Sequence, residues 1–534
     1  MYLPPRAYRT LIMGRRGAVG TNHPIATQAG LDVLRAGGNA VDASVAISLT
    51  LGVVEPMMSG LGGDGFYQVH HARTGETRCW NGTGAAPLAA TPERFGARGI
   101  AVRGPLSVST PGGLAGVGAM HATLGSLPWR GLCAAAIEYA REGFPLSRHY
   151  QRLTSDDSGV LAADARSAKV FLTEKALGAL ITQPDLARTL EEIAEDGPET
   201  FYRGRLAKRL ADGMRAAGVL VNEADLAACQ AQVQDPIGIR YRGFQVTQTP
   251  PNSTGFTMLQ ILKIAERFDL VALDPVRRIH VLVEAKKRAF LDRERYGTDP
   301  RHGDVPLDRL LSDARADEAA AAISLNRAAD IRLAEPERAN GDTTYFCVVD
   351  ADGNAVSGIQ SINSGYGSGV TAGDTGVLLN NRMAYWHLAP GHANRLMTGK
   401  RVRHTMNAPM VFRDGKLWAV EGTPGADNQV QINAQVLTAM MDLDADPQTA
   451  LEAPRWTSSQ QGQGANWPHE GDGRLTVEPG YGEDILTGLE RLGHRLNRVG
   501  PLEGPCSVQA IRVLENGVRA AGSDPRRDGW AGAY

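Results

Sequence analysis

A chain of 534 residues, 43% apolar and 21% charged, is long enough for one large layered unit and ordinary in make-up for a globular protein. Its 56 basic and 58 acidic residues leave a formal charge of -2, which excludes the basic footprint of a nucleic-acid binder and gives no membrane-surface signal. Five scattered cysteines (Cys79, Cys133, Cys229, Cys347 and Cys506) share no CxxC spacing, which argues against a disulfide framework or structural zinc and fits a reduced, cytoplasmic setting.

The opening MYLPPRAYRTLIMGRRGAVG carries charges and no apolar stretch of secretory length. No run approaches the roughly 18 apolar residues of a membrane span. Residues 24–55 predict helix, with the GGN at 37–39 as a stop and restart. The run AVDASVAISLTLGVV within it reads as a buried helix. SGLGGDGFYQVH then predicts a Gly-rich turn leading into a strand. Its LGGDG lacks the Lys and Ser/Thr of a phosphate loop, so the glycines read as sites where backbone packs on backbone. Residues 127–230 and 256–294 have helical periodicity. From 343 to 382 the texture turns to strands. TTYFCVVD, a DGN turn at 352–354 and AVSGIQSI predict a hairpin. KLWAVEGTPG at 416–425 predicts another strand and tight turn, followed by an amphipathic helix to about 443. The last part mixes strands with a helix. Helices first and paired strands later predict an α+β layered fold.

GDTTYF sets two threonines before a strand. A Thr hydroxyl is a weak nucleophile unless a base lies beside it. An N-terminal Thr carries that base as its own α-amine, which titrates at about 7.7–8.0 in model compounds. Thr343 gains such an amine only if the chain is cut after Asp342. Its hydroxyl can make that cut by attacking the preceding carbonyl. Taken alone, a threonine at a strand start is an ordinary sheet residue.

The wider sequence resembles the γ-glutamyltransferase family of N-terminal-nucleophile hydrolases. HPIATQAGLDVLRAGGNAVDASVA, VVEP, GLGGDGF, STPGGLAG, GDTTYFCVVDADGNAVS, SGYGSGV, GVLLNNRM, EGTPG and GSDPRRDGWAGAY follow one another through nearly the whole chain. The resemblance implies a four-layer αββα sandwich, made as one precursor and cut into segments 1–342 and 343–534 that stay together. It implies Thr343 as processing and catalytic nucleophile, Ser361 as its hydroxyl partner and Asn363 as a substrate-binding residue. It also implies an oxyanion hole from the backbone N–H groups of Gly425 and Ala426, with Ala426 where relatives carry a second Gly.

The resemblance also shows where this chain departs. Thr83, in NGTGAAP, replaces the carboxylate-binding Arg of enzymes that act on glutathione. His404 and Thr405 replace a pair of serines. Arg382 and Tyr385, in NNRMAYW, stand where a polar residue and the acid for the α-amine belong. An ammonium there would lose its counter-charge and meet a guanidinium. The expected substrate is therefore an amide whose acyl group bears a carboxylate but no α-amine, held by Arg382, while Arg103 reads first as a plain surface charge and otherwise as a second carboxylate ligand. His404 either hydrogen-bonds substrate or caps a turn. HTMN, RGP and IQSI resemble the branch that holds oxamate amidohydrolases, with cephalosporin acylases as further relatives.

The segment 384–399 is short beside members that carry a lid, which favours hydrolysis over transfer. A true glutathione hydrolase and an unprocessed, non-catalytic scaffold are the competing readings. The expected partners are a small-molecule amide and the chain's own two fragments, with a homo-oligomer of processed units left open. This chemistry requires no cofactor and no metal.

Overall fold

The computed structural model describes residues 7–172, 176–333, 342–467, 469 and 471–534. Its centre is a pair of seven-stranded sheets. In the first, the strands run Trp530–Ala533, Ala18–Thr21, Asp342–Val349, Ala355–Asn363, Asp64–His71, Glu76–Gly82 and Gln232–Gln234. In the second, they run Ile12–Gly14, Arg519–Ser523, Gln509–Val513, Lys416–Gly422, Met410–Arg413, Phe244–Gln248 and Ile237–Tyr241. Every pairing within the two sheets is antiparallel.

The period-two alternation of the strands separates the layers. Tyr345, Cys347 and Val349 point between the sheets and pack with Met410, Phe412, Val420 and Ile511 of the second. Phe346 and Val348 point the other way, onto the helices Pro24–Arg35 and Ala40–Val54. The second sheet turns its outer face to Gly255–Ala265, Pro275–Tyr296 and Gln429–Asp442. The fold is thus the expected four-layer αββα sandwich.

The stop and restart near 37–39 follow the sequence. The first helix ends before Gly37 at φ 93, and Asn39 opens the second with a capping box closed by Asp42. Ala40–Val54 is buried along nearly its whole length. The expectation for 429–442 needs correction. This helix is not amphipathic but buried through Met440, polar residues included. Gln431 and Gln435 face inward because they replace a missing ladder. Each hydrogen-bonds the backbone of the strand Trp456–Ser458, with Ser458 N–H donating to Gln431 at 2.7 Å and Gln435 donating to Trp456 O at 2.9 Å. No helix among the described residues is long and apolar enough to cross a membrane.

Candidate active site

Thr343 sits where the hairpin register slips. Asp342 pairs with Asn363 and Thr344 with Gln360, so Thr343 alone faces both Ser361 and Ile362. A bulge of this kind re-aims side chains. Here it brings two hydroxyls together, with Thr343 Oγ1 donating to Ser361 Oγ at 3.2 Å. Ser361 Oγ also accepts the Asn363 N–H at 2.7 Å, across a backbone at φ 84. The neighbouring Thr344 donates to Glu55 at 2.7 Å, which ties the strand to the end of Ala40–Val54.

The turn after Lys416–Gly422 holds Gly425 and Ala426, the residues expected to form the oxyanion hole. Gly425 lies at φ 119, and a Cβ there would stand 2.2 Å from Cys506 Sγ, so only glycine fits. Ala426 is also left-handed, at φ 50. The turn opens the helix Gln429–Asp442, whose positive end adds to any donor aimed at developing negative charge.

The departures from the family pattern gather beside this machinery. Arg382 is 1% exposed, and none of its three guanidinium nitrogens makes a hydrogen bond. Its guanidinium lies over the Tyr385 ring at 4.6 Å, and the Tyr385 hydroxyl is 3.2 Å from Thr405 Oγ1. His404 is fully buried, its Nε2 3.3 Å from Asp64 Oδ2 and its Nδ1 without a partner. Burial, with the nearby Arg382 charge, pushes His404 down to about 4. Burial pushes the Tyr385 phenol up. Thr83 is turned to structure, donating to Asn81 at 2.7 Å and accepting from Asn252 at 3.2 Å.

Arg103 is part-exposed and engaged by the protein itself. It donates to the carbonyls of Gly365 and Gly367 and pairs with Asp157 at 2.8 Å, fastening the loop after Asn363. Thr343 is 2% exposed in the uncut chain. Asn466 reaches in from another segment, accepting from Asn363 Nδ2 at 2.7 Å and donating to Ser364 at 3.2 Å. That bond, with a second from Nδ2 to Asn381 O, leaves Asn363 Oδ1 buried and unpartnered.

Asp64 and Asn466 escaped the sequence reading. Asp64 is directly opposite Ser361 on the next strand, so their side chains share a face. The one signal for it was the acid inside LGGDG. Among the described residues Glu294, His387 and His392 bring possible metal ligands together. Both Glu294 oxygens already meet guanidiniums of Arg293 and Arg403, and His392 Nδ1 accepts from Asn394 N–H. That group is an ion-pair and histidine cluster rather than a cation site.

The profile of the gamma-glutamyltranspeptidase family matches residues 26–534. A glutathione hydrolase-like YwrD proenzyme of Bacillus subtilis is 37% identical over 530 residues, covering 97% of this chain and 99% of that one. An oxamate amidohydrolase proenzyme of Klebsiella pneumoniae is 34% identical over 527 residues, covering 96% and 97%. The crystal structure of a cephalosporin acylase from Bacillus halodurans superposes with a TM-score of 0.91 at 33% identity, over 100% of this chain and 98% of that one. With the fold, the hairpin threonine and the match along almost its whole length in agreement, this chain belongs to the gamma-glutamyltranspeptidase family of N-terminal-nucleophile hydrolases.

Proposed function

We propose that the chain cuts itself between Asp342 and Thr343 and then hydrolyses an amide whose acyl group carries a carboxylate and no α-amine. In the first step Thr343 Oγ attacks the Asp342 carbonyl. The peptide nitrogen leaves as the Thr343 amine, and water hydrolyses the ester to a new carboxylate on Asp342. In the second, that amine takes the hydroxyl proton while Oγ attacks the substrate carbonyl. The N–H groups of Gly425 and Ala426 stabilise the oxyanion. The amine product leaves with the proton, and water releases the acid from acyl-Thr343.

The observation that carries the acyl preference is Arg382, a guanidinium buried at 1% exposure with no hydrogen bond on any nitrogen. Its one carboxylate neighbour, Asp64, stands 3.5 Å from Nε, which leaves its N–H groups open to a second, hydrogen-bonded anion. The proenzyme names of the relatives agree with self-cleavage. The alternative is a true glutathione hydrolase, and Asp64 is the carboxylate that would hold its α-amine.

A denaturing gel and three p-nitroanilides test this reading. Two fragments split near residue 342, replaced by one full-length band in Thr343→Ala, are the expected pattern. Glutaryl-p-nitroanilide is expected to be turned over faster than γ-glutamyl-p-nitroanilide and pentanoyl-p-nitroanilide. A γ-glutamyl rate equal to or above the glutaryl rate would establish the alternative.

A further inference from the structure

Asp64, Arg382 and His404 form one buried charge cluster, each at most 1% exposed. Asp64 is its centre. Oδ1 accepts the Gly84 N–H at 2.8 Å, while Oδ2 lies 3.3 Å from His404 Nε2 and 3.5 Å from Arg382 Nε. The LGGDG glycines hold it there. A Cβ on Gly62 would stand 2.1 Å from Leu378 O, and one on Gly63 would stand 2.4 Å from Ser361 O, so the loop packs backbone to backbone just ahead of the acid. His404 is equally fixed. Its N–H donates to Asn252 O at 2.8 Å and its carbonyl accepts from Thr254 N at 2.8 Å. The rings of Phe66 and Tyr385 meet it at T-shaped angles.

The charges can be counted. With His404 neutral, Arg382 and Asp64 cancel. A substrate carboxylate arriving at Arg382 would place two anions on one guanidinium in a site closed to water, which is costly without a further positive charge. His404 is built to supply it. A neutral imidazole that donates from Nε2 to Asp64 carries only a lone pair on Nδ1, and Nδ1 is buried without a partner. An imidazolium donates from both nitrogens, one to Asp64 and the other to a second anion.

We infer that His404 takes up a proton when the acyl carboxylate binds, making it a second cation of the recognition site that is charged only in the complex. This rests on the reading of Arg382 as the carboxylate ligand. Burial keeps His404 neutral in the empty site at neutral pH. The charged or titratable groups facing it are Asp64 from Asp64–His71 and Arg382 and Tyr385 from the turn Arg382–Tyr385. The Tyr385 phenol stays protonated, and Arg403 on its own segment is engaged by Glu294 at 3.0 Å.

The test is the ratio of KM for glutaryl-p-nitroanilide to KM for pentanoyl-p-nitroanilide, measured on processed enzyme. The two acyl chains differ only at the terminal carboxylate, so titration of the Thr343 amine cancels. The ratio is expected to rise with pH by up to about tenfold per unit between the pKa of His404 in the free enzyme and its pKa in the complex, and to level off above the latter. His404→Gln is expected to give a ratio that is high and flat. Asp64→Asn is expected to give one that is low and flat, because Arg382 then lacks a counter-charge until the anion arrives. A flat ratio in the wild-type enzyme, or a slope retained in either variant, overturns the inference. Should the variants fail to process, calorimetry of glutarate and of pentanoate binding to wild-type enzyme in two buffers of different ionisation enthalpy decides, since the Thr343 amine contributes to both. Uptake with glutarate that exceeds that with pentanoate by close to one proton supports the inference, and equal uptake overturns it. Arg382→Ala separates the two readings. If it leaves the ratio unchanged at low pH, the carboxylate pocket itself is wrong. If it raises the ratio while the wild-type ratio is flat, only the proton is wrong.

Discussion

Around Thr343 the hydroxyls are matched to protein partners. The Thr343 hydroxyl meets Ser361, the Asn363 N–H meets Ser361, and the Thr344 hydroxyl meets Glu55. Around Arg382 the opposite holds: its three guanidinium nitrogens and His404 Nδ1 are buried without a hydrogen bond, with Asp64 the carboxylate beside both. The first region is finished before any substrate arrives, as a group that must cut its own chain has to be. On the proposed reading the second region is completed by a ligand, because buried polar groups left without partners are costly and rarely persist without a reason. The split follows the chemistry. Attack on a carbonyl needs the same geometry whatever the acyl group, while selection of the acyl group resides in groups that wait for it.

Removing the nucleophile tests the finished region most severely. Thr343→Ala is expected to abolish processing and to lower amidase activity by more than about 10⁴-fold, since the remaining donors position substrate but form no bond to it. A cleaved Thr343→Ala protein would place the nucleophile elsewhere. On the waiting side, Arg382→Ala is expected to raise KM for glutaryl-p-nitroanilide by roughly 10–100-fold, the loss of a charge-assisted hydrogen-bonding partner, with kcat nearly unchanged. A fall in kcat with KM unmoved would put Arg382 in the finished region and erase the contrast. Ser361→Ala is expected to slow processing and to lower kcat by about tenfold, in line with the loss of one hydrogen bond to the nucleophile. Steady-state rates and a time course on a gel read both effects.

The sequence made some of this legible and hid the rest for physical reasons. The hairpin, the layered order and the glycine stop at Gly37 follow from local pattern, because turn residues and period-two runs act over a few neighbours. The helix Gln429–Asp442 was misread because its glutamines pair with a strand about two dozen residues further on, a partner that no periodicity reveals. Arg103 stood out as a cation, yet its partners are the carbonyls of Gly365 and Gly367 and the acid Asp157. Asp64 was hidden inside a glycine run whose composition pointed only to close packing. That packing is present, and its consequence is to hold an acid beside Ser361 and His404.

The smallest expected effect lies at the oxyanion turn, on the finished side. Ala426 takes a left-handed backbone at φ 50, which costs an alanine about 1 kcal/mol that glycine does not incur. Glycine, however, loses more freedom on folding, a cost of about 0.4–1 kcal/mol of the opposite sign. The two nearly cancel, so Ala426→Gly is expected to leave the thermal midpoint almost where it was. Its N–H remains in place, and only that N–H is assigned a part in the chemistry, so kcat is expected to stay within about twofold. A larger change in kcat would mean that the Ala426 methyl itself shapes the site. The nucleophile side would then also carry part of the acyl selection, and the division between the two regions would have to be redrawn at this residue.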